Sequence, residues 1–451
     1  MFRRLRLWDD GGPVIIPSRP PLPLPMITYG KGLPSLPDDI IYEIFSLLDA
    51  GALKSCSLTG KVVSRSAKPL LHRTLYLIPR NWPGAPTKPS TPGHWNELKG
   101  LATLGEHGLL QHARHASIYL SRNPLFPHDL QPHVQHLRSL TNLRSLKTRW
   151  LDIPSFIPKM EEYFGAFFES LQSLELESLR GDYHQILYFV CQFPNLRDLK
   201  IKGLQDHTHA MRNGGPHPDI ETSPLLDGTL DLQLDTEHDR GAPLVLDALA
   251  TLPSGLRFRT LKLSGCISQL LVDACAPTLE CIDFWFGRSF LHGQERFWLT
   301  WLSGGTQYPQ RQLSFKRHPI LGKLEIKLAD YADTELVATW LSEMLSTITS
   351  NVFTELTICI ARVSFMFHTA SEDQVRGWNS VDNVLDRLSL CEDVTLVIRL
   401  QHWVIDDKLR GLVERYFPLM WDNGRIVLEG PIGLGGGAVR RMRTSGPGEI
   451  F

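Results

Sequence analysis

The chain has 451 residues, with 47 Lys+Arg against 48 Asp+Glu, a net charge of −1 and 42% hydrophobic residues. So even a balance gives no electrostatic reason to expect nucleic acid or a membrane surface as partner, and no apolar run approaches the ~20 residues of a transmembrane helix. The 71 leucines exclude disorder throughout and point to many short apolar strips stacked on one another.

The first residues, Met1 to Trp8, are basic but lack the apolar stretch of a secretory signal. Eight prolines follow between residues 11 and 37, where fixed φ angles and missing donors favour an extended, unpacked segment. Residues 1–31 therefore read as a disordered leader and 32–78 as a compact helical domain. Residues 79–100, rich in Pro and Gly from 81 to 93, read as a linker. From 101 to 430 helix-like and strand-like pieces alternate. The stretch 431–451, with Gly433 to Gly437 and Arg440 to Arg443, reads as a flexible tail.

The helical block opens with Pro37-Asp-Asp-Ile-Ile-Tyr-Glu-Ile-Phe-Ser-Leu-Leu48. Pro37 suits a helix entrance, and Asp38 and Asp39 favour the positive end of the helix dipole. Ile40, Ile44, Leu47 and Leu48 make one apolar stripe, and Ile41 and Phe45 a second. Two further short helices, around Leu53–Leu58 and Val62–Leu71, can cover one stripe. The other is left for a partner.

These residues carry a resemblance. Leu36-Pro37-Asp-Asp-Ile40-Ile41-x-Glu43-Ile44-x-x-x-Leu48, then Leu53-x-x-Cys56-Ser57-Leu58, Ser64-Arg65 and Pro69-Leu-Leu71 resemble an F-box of the variant common in mushroom-forming fungi. Val63 stands where that family often has Trp, and Gly60-Lys61 replaces its usual Cys-Arg. The resemblance implies that Leu36, Pro37, Ile40, Ile41, Ile44 and Leu48 dock on the adaptor subunit of an SCF-type cullin–RING ubiquitin ligase. A three-helix cap on the following domain is the plainer alternative.

Beyond residue 100, apolar residues recur at L-x-x-L-x-L spacing. Seven copies are apolar throughout: 171/174/176, 196/199/201, 258/261/263, 279/282/284, 321/324/326, 353/356/358 and 391/394/396. Weaker copies are Leu143/Leu146/Thr148 and Thr229/Leu232/Leu234, and Leu75–Leu77 and His112–Leu120 suit opening strands. Helical patterns are expected near 156–170, 184–193, 244–252, 267–276, 290–302, 336–348, 381–388 and 404–417, with 202–229 a surface insertion. One strand and one helix cannot bury their own apolar face, so neighbours must stack. The expected fold is an irregular, leucine-rich-repeat-like α/β solenoid, curved, with parallel strands inside and helices outside. A doubly wound α/β domain is the runner-up, awkward because open sheets rarely exceed ~10 strands.

Motifs for chemistry fail on inspection. Gly433-Leu-Gly435-Gly-Gly-Ala438 imitates a dinucleotide turn but leaves no room for the crossover helix and second strand. Gly287-Arg-Ser289-Phe-Leu291 lacks the last glycine of a nucleophile elbow, and no phosphate loop or H-E-x-x-H occurs. His112 and His115 could share a helix face, yet with His107, His128, His133 and His136 they read as solvated rather than as zinc ligands. Trp340 and Trp378 read as helix-packing residues. The seven cysteines are scattered without a C-x-x-C pair, which fits a reducing compartment, the cytoplasm or nucleus. No catalytic, cofactor or metal site is expected. The sequence reads as a substrate-recognition subunit of a ubiquitin ligase whose repeat domain binds an unknown target protein, or as a non-degradative scaffold.

Overall fold

The structure, a computed structural model, describes residues 38–78, 95–97, 100–119, 131–205, 224–234, 242–264, 268–286, 313–328, 334–360, 372–389, 393–400, 405–431 and 439–443. The leader, most of the expected linker, the helix expected near 290–302 and most of the 202–229 insertion lie outside them.

Three short helices come first: α1 (Asp38–Ser46), α2 (Ala50–Ser57) and α3 (Lys61–Leu71). Asp49 starts α2, its Oδ1 accepting the Ala52 amide at 2.7 Å. Both other helices pack against α3. Leu53 and Ala67 are buried between them, but neither belongs to the large apolar cluster of the following domain.

That domain is built on one sheet. Its strands are β1 (Thr74–Ile78), β2 (Trp95–Glu97), β3 (His115–Tyr119), β4 (Ser145–Arg149), β5 (Ser173–Arg180), β6 (Asp198–Gln205) and β7 (Thr229–Gln233). They continue as β8 (Thr260–Ser264), β9 (Cys281–Phe286), β10 (Lys323–Leu328), β11 (Glu355–Ile360), β12 (Thr395–Leu400), β13 (Ile426–Pro431) and β14 (Val439–Arg443). Their order is the order of the sequence, except that β2 sits at the edge outside β1. Every neighbouring pair is parallel apart from β13 and β14. From β3 to β13 the strands are sequential and parallel, so crossovers of one hand put the intervening helices on one face. This is a solenoid-like α/β sheet, and a doubly wound arrangement, with helices on both faces, does not fit it.

One row of side chains crosses twelve strands in register: Leu75, Ala116, Leu146, Leu174, Leu199, Leu230, Leu261, Ile282, Leu324, Leu356, Leu396 and Ile426. All twelve are buried, none more than 2% exposed. Two expected copies are therefore corrected by two residues: the row passes Leu230 rather than Leu232, and Leu396 rather than Val394. A slip of two keeps every side chain on its face, so alternation alone does not reveal it. A further copy, Ile426 and Leu428, lies in the strand-like stretch just before the glycine run that imitates a dinucleotide turn.

Two local devices fix the register. The carbonyl just before most of the strands accepts two amides from the next repeat: Arg114 O takes Arg144 N and Ser145 N, and Glu280 O takes Gly322 N and Lys323 N. A polar side chain three residues before the strand reaches back to the previous repeat. Asn142 donates to Gln111 O at 3.0 Å, Ser170 to Leu143 O at 2.8 Å and Asn195 to Glu169 O at 2.7 Å. Thr278 donates likewise to Phe258 O at 3.2 Å. These bonds satisfy backbone acceptors that a short turn would otherwise leave unpaired.

At the ends of β4, β5 and β6 the backbone turns left-handed in one row, with φ 67° at Trp150, 58° at Ser178 and 64° at Gly203. The kink shifts the alternation by one, so that Leu179 and Leu204 return to the buried face after Glu177 and Lys202. A left-handed Ser stores about 1–2 kcal/mol, of which glycine recovers part after its own entropy loss. Ser178→Gly should stabilise the protein by about 0.5 kcal/mol. Gly203→Ala should destabilise it by about 1 kcal/mol, through φ alone, since an added Cβ meets nothing within 4 Å. Urea midpoints at unchanged slope test both, and a loss of stability in Ser178→Gly would mean that the position is unstrained.

Helices form at Tyr183–Cys191, Ala242–Ala250, Gln269–Ala274, Thr334–Leu345, Glu372–Ser389 and Asp407–Tyr416, near their expected places. The single helix expected over 156–170 is instead broken into Ile153–Phe156, Ile157–Lys159, Met160–Phe164 and Gly165–Phe167. Prolines at 154 and 158 prevent one continuous ladder there. Phe156, Phe164 and Phe167 are nonetheless fully packed. The expected linker contains β2, and the expected flexible tail contains β14, whose Met442 packs against the core. Neither strand has an alternating apolar pattern of its own, and each is held by pairing along a sheet edge.

Candidate partner-binding surfaces

The first surface is the outer side of α1. Ile40 is 39% exposed, Ile44 45% and Leu47 87%, at the i, i+4, i+7 spacing of one helix face. Leu58, at the end of α2, is 81% exposed. Ile41, Phe45 and Leu48 are half-buried, so of the expected docking residues Ile40 and Ile44 face outward while Ile41 and Leu48 are partly covered. Leu36 and Pro37 lie outside the described residues. The second stripe of α1 is the one the helical block uses.

The second surface is the sheet face away from the helices. In β4 to β10 its residues are half-buried or exposed except Ser264, whereas Thr357, Cys359, Val397 and Val427 of β11 to β13 are buried there. Charges alternate from strand to strand. Lys147 pairs with Glu175 and Glu177 at 3.0 and 3.3 Å, and Lys202 with Glu175 at 3.1 Å. Lys200 pairs with Asp231 at 2.8 Å, Lys327 with Asp283 at 2.5 Å, and Arg399 with Glu325 and Glu429 at 3.3 and 2.9 Å. Such cross-strand pairs are the sheet counterpart of helix i, i+4 pairs.

Burial and pairing compete in this network. Burial pushes the Glu175 and Glu325 carboxyls up, but their lysine and arginine neighbours outweigh it and hold both below the usual range. At Asp283 burial wins: its carboxyl lies above the usual range although Lys327 offsets part of the effect. Its Oδ1 is buried with no donor in reach. A shallow pocket of about 210 Å³ lies here, lined among others by Gln233, Lys262, Ser264, Asp283, Trp285 and Lys327. Trp285 is 49% exposed.

Several expected sites come out differently or not at all. His112 ends a 3-10 turn and His115 begins β3, so the two do not share a helix face. Among the described residues no cluster of three His, Cys, Asp or Glu could hold a metal ion. Burial pushes the thiols of Cys191 and Cys275 up to about 12, and that of Cys359, with Glu325 adding to burial, also to about 12. None of the three is a thiolate nucleophile at neutral pH. Trp378 is buried and Trp340 packs against the core, both on helices. No described helix is long and apolar enough to cross a membrane.

Fold and surfaces together define an α/β solenoid-like protein with an exposed apolar helix face at one end and a charged, open sheet face. Neither a protein-family model nor a curated protein matches the chain.

Proposed function

We propose that the protein is the substrate-recognition subunit of an SCF-type cullin–RING ubiquitin ligase. In this reading α1 docks on the adaptor as an F-box helix, and the sheet, a degenerate leucine-rich-repeat array, holds the target protein on its open face. The observation that carries the reading is the outward stripe Ile40, Ile44 and Leu47 on a small helical block with its own core. An apolar patch of that kind marks an interaction surface, and the F-box resemblance gives it an occupant. The array supplies a second surface with polar and aromatic groups, which suits recognition rather than bond-making. Work in the cytoplasm or nucleus agrees with the free cysteines among the described residues.

Ile44→Asp tests the docking role. At 45% exposure the change should leave the melting curve as in the wild type. In the complex it would bury an unpaired carboxylate, a loss of about 3 kcal/mol, or roughly a hundredfold in affinity. The measurement is a binding titration with purified adaptor alongside a melt. Collapse of the fold would make Ile44 a core residue, and normal adaptor binding by a folded variant would remove it from the docking surface.

A further inference from the structure

We propose that the sheet face anchors its partner at one place, Lys262 beside Trp285, and that the anchor takes an acidic side chain flanked by an aromatic or aliphatic one on a partner polypeptide. The inference rests on the reading of the sheet face as the target surface and is independent of the adaptor.

The charge ladder leads to this point. Along β4 to β10, β12 and β13, the charged residues of the open face have an oppositely charged group within 4.0 Å, with two exceptions among the described residues. One is Asp198, whose Oδ1 instead accepts the Thr229 amide at 2.7 Å; the other is Lys262. It stands in register between Asp231 of β7 and Asp283 of β9, which should give it two partners. Both carboxylates lean away: Asp231 is bonded to Lys200 at 2.8 Å and Asp283 to Lys327 at 2.5 Å. The ladder thus reverses its direction at β8 and leaves one exposed ammonium over.

Next to it the face stops being purely polar. Trp285 is in register with Ser264 and Lys327, half of its surface is open, and its ring borders the same pocket as Lys262. Exposed tryptophans are the residues most often found to dominate binding energy at interfaces. A pocket of about 210 Å³ has room for one or two side chains, not for a helix. Gln233 and Ser264 offer neutral hydrogen-bonding groups on its wall. The buried Asp283 Oδ1 accepts no hydrogen bond within the chain, and a backbone N–H of an extended segment can supply one.

Charge decides the sign of the ligand. Asp231 and Asp283 each hold a lysine on their far side, so Lys262 is the charged group of the pocket lining without an ion-pair partner. An incoming guanidinium would find both carboxylates already bonded to lysines, with only the buried Asp283 Oδ1 left over, and would face the ammoniums of Lys262 and Lys327. An incoming carboxylate finds a free partner beside a low-dielectric ring, where the attraction is screened less than in open water.

The test selects a random peptide library on phage against the full chain. Selected sequences should show Asp or Glu next to Phe, Trp or Leu. A synthetic copy of the most enriched one should bind at least tenfold more weakly to Lys262→Glu and to Trp285→Ala, and more weakly as salt rises. Both substitutions are at exposed positions and should leave the melt unchanged, and Lys408→Glu, an exposed lysine on Asp407–Tyr416, should bind as the wild type. Selection without an acidic excess, or peptides that bind Lys262→Glu normally and so occupy another surface such as α1, would overturn the anchor alone. A folded chain that selects no peptide would overturn the sheet-face reading with it, whatever the adaptor titration shows.

Discussion

Leu261→Asp should abolish the cooperative unfolding transition. Leu261 is 0% exposed and lies in the middle of the core row, between Leu230 of β7 and Ile282 of β9. Leu→Ala at such a site already costs about 2–5 kcal/mol through lost contacts and the cavity left behind. A carboxylate adds the expense of burying a polar or charged group without a partner, of order several kcal/mol more. The sum reaches the whole stability of an ordinary domain, about 5–15 kcal/mol. Circular dichroism on heating should show no sigmoidal melt for the variant and a single one for the wild type. A variant melting within a few degrees of the wild type would mean that β8 is not a central strand. The contrast with Ile44→Asp is the useful part: the same chemical change is tolerated on α1 and fatal on β8, because only one of the two sites is already dry.

The second large effect is expected at Asp382→Ala, on the order of 4 kcal/mol. Asp382 sits in Glu372–Ser389, 1% exposed, and its carboxylate reaches a different helix, Pro418–Asp422. Oδ2 accepts the Leu419 amide at 2.7 Å and Oδ1 the Met420 amide at 3.1 Å. The residue before that helix is Phe417, which has no side-chain acceptor, and Pro418 has no amide to offer. The cap that a local Ser or Asp would supply is therefore delivered through space. Trp378, one turn earlier, holds the same junction by edge contact with Phe417 at 5.6 Å. Alanine leaves two N–H groups without an acceptor, whereas asparagine keeps one and should lose about half as much. Burial holds the Asp382 carboxyl above its usual range, with the two amides offsetting part. The folded state then binds this proton more tightly than the unfolded chain. Asp382's contribution should accordingly rise as pH falls through the raised value and level off below the usual carboxylate pKa. Melts of wild type and Asp382→Ala across that window test both the size and the sign, and a difference that shrinks on acidification would sink the argument.

Much of the domain was legible in its residues. The L-x-x-L-x-L strips gave strand centres at Leu174, Leu199, Leu261, Ile282, Leu324 and Leu356, and the structure puts them side by side in parallel. One further signal stood in plain view. A polar residue precedes the first apolar one in Asn142-Leu143, Ser170-Leu171, Asn195-Leu196 and Thr278-Leu279, and each of the four ties its repeat to the one before. That polar-Leu step marks the frame of these four repeats independently of leucine spacing. The two stripes of α1 were legible too, since helical spacing separates Ile40, Ile44 and Leu47 from Ile41 and Phe45, but which of them faces outward was not, and Leu48 of the first stripe is half-buried.

By itself, then, the sequence determined the apolar strips and the buried face of the strands that carry them, because these follow from side chains one to four positions apart, and the stacking order follows from the need of each repeat to cover its neighbour. Only the tertiary structure decided the two-residue phase at Leu230 and Leu396, the pairing of β2 and β14 at the edges, the cap that Asp382 provides and the direction in which each carboxylate of the ladder leans. These depend on groups from separate repeats competing for the same partner. Lys262 shows the reason most clearly: nothing in Thr260-Leu-Lys-Leu-Ser264 marks it as different from Lys200 or Lys327, and it is left over only because both neighbouring aspartates are bonded on their other side.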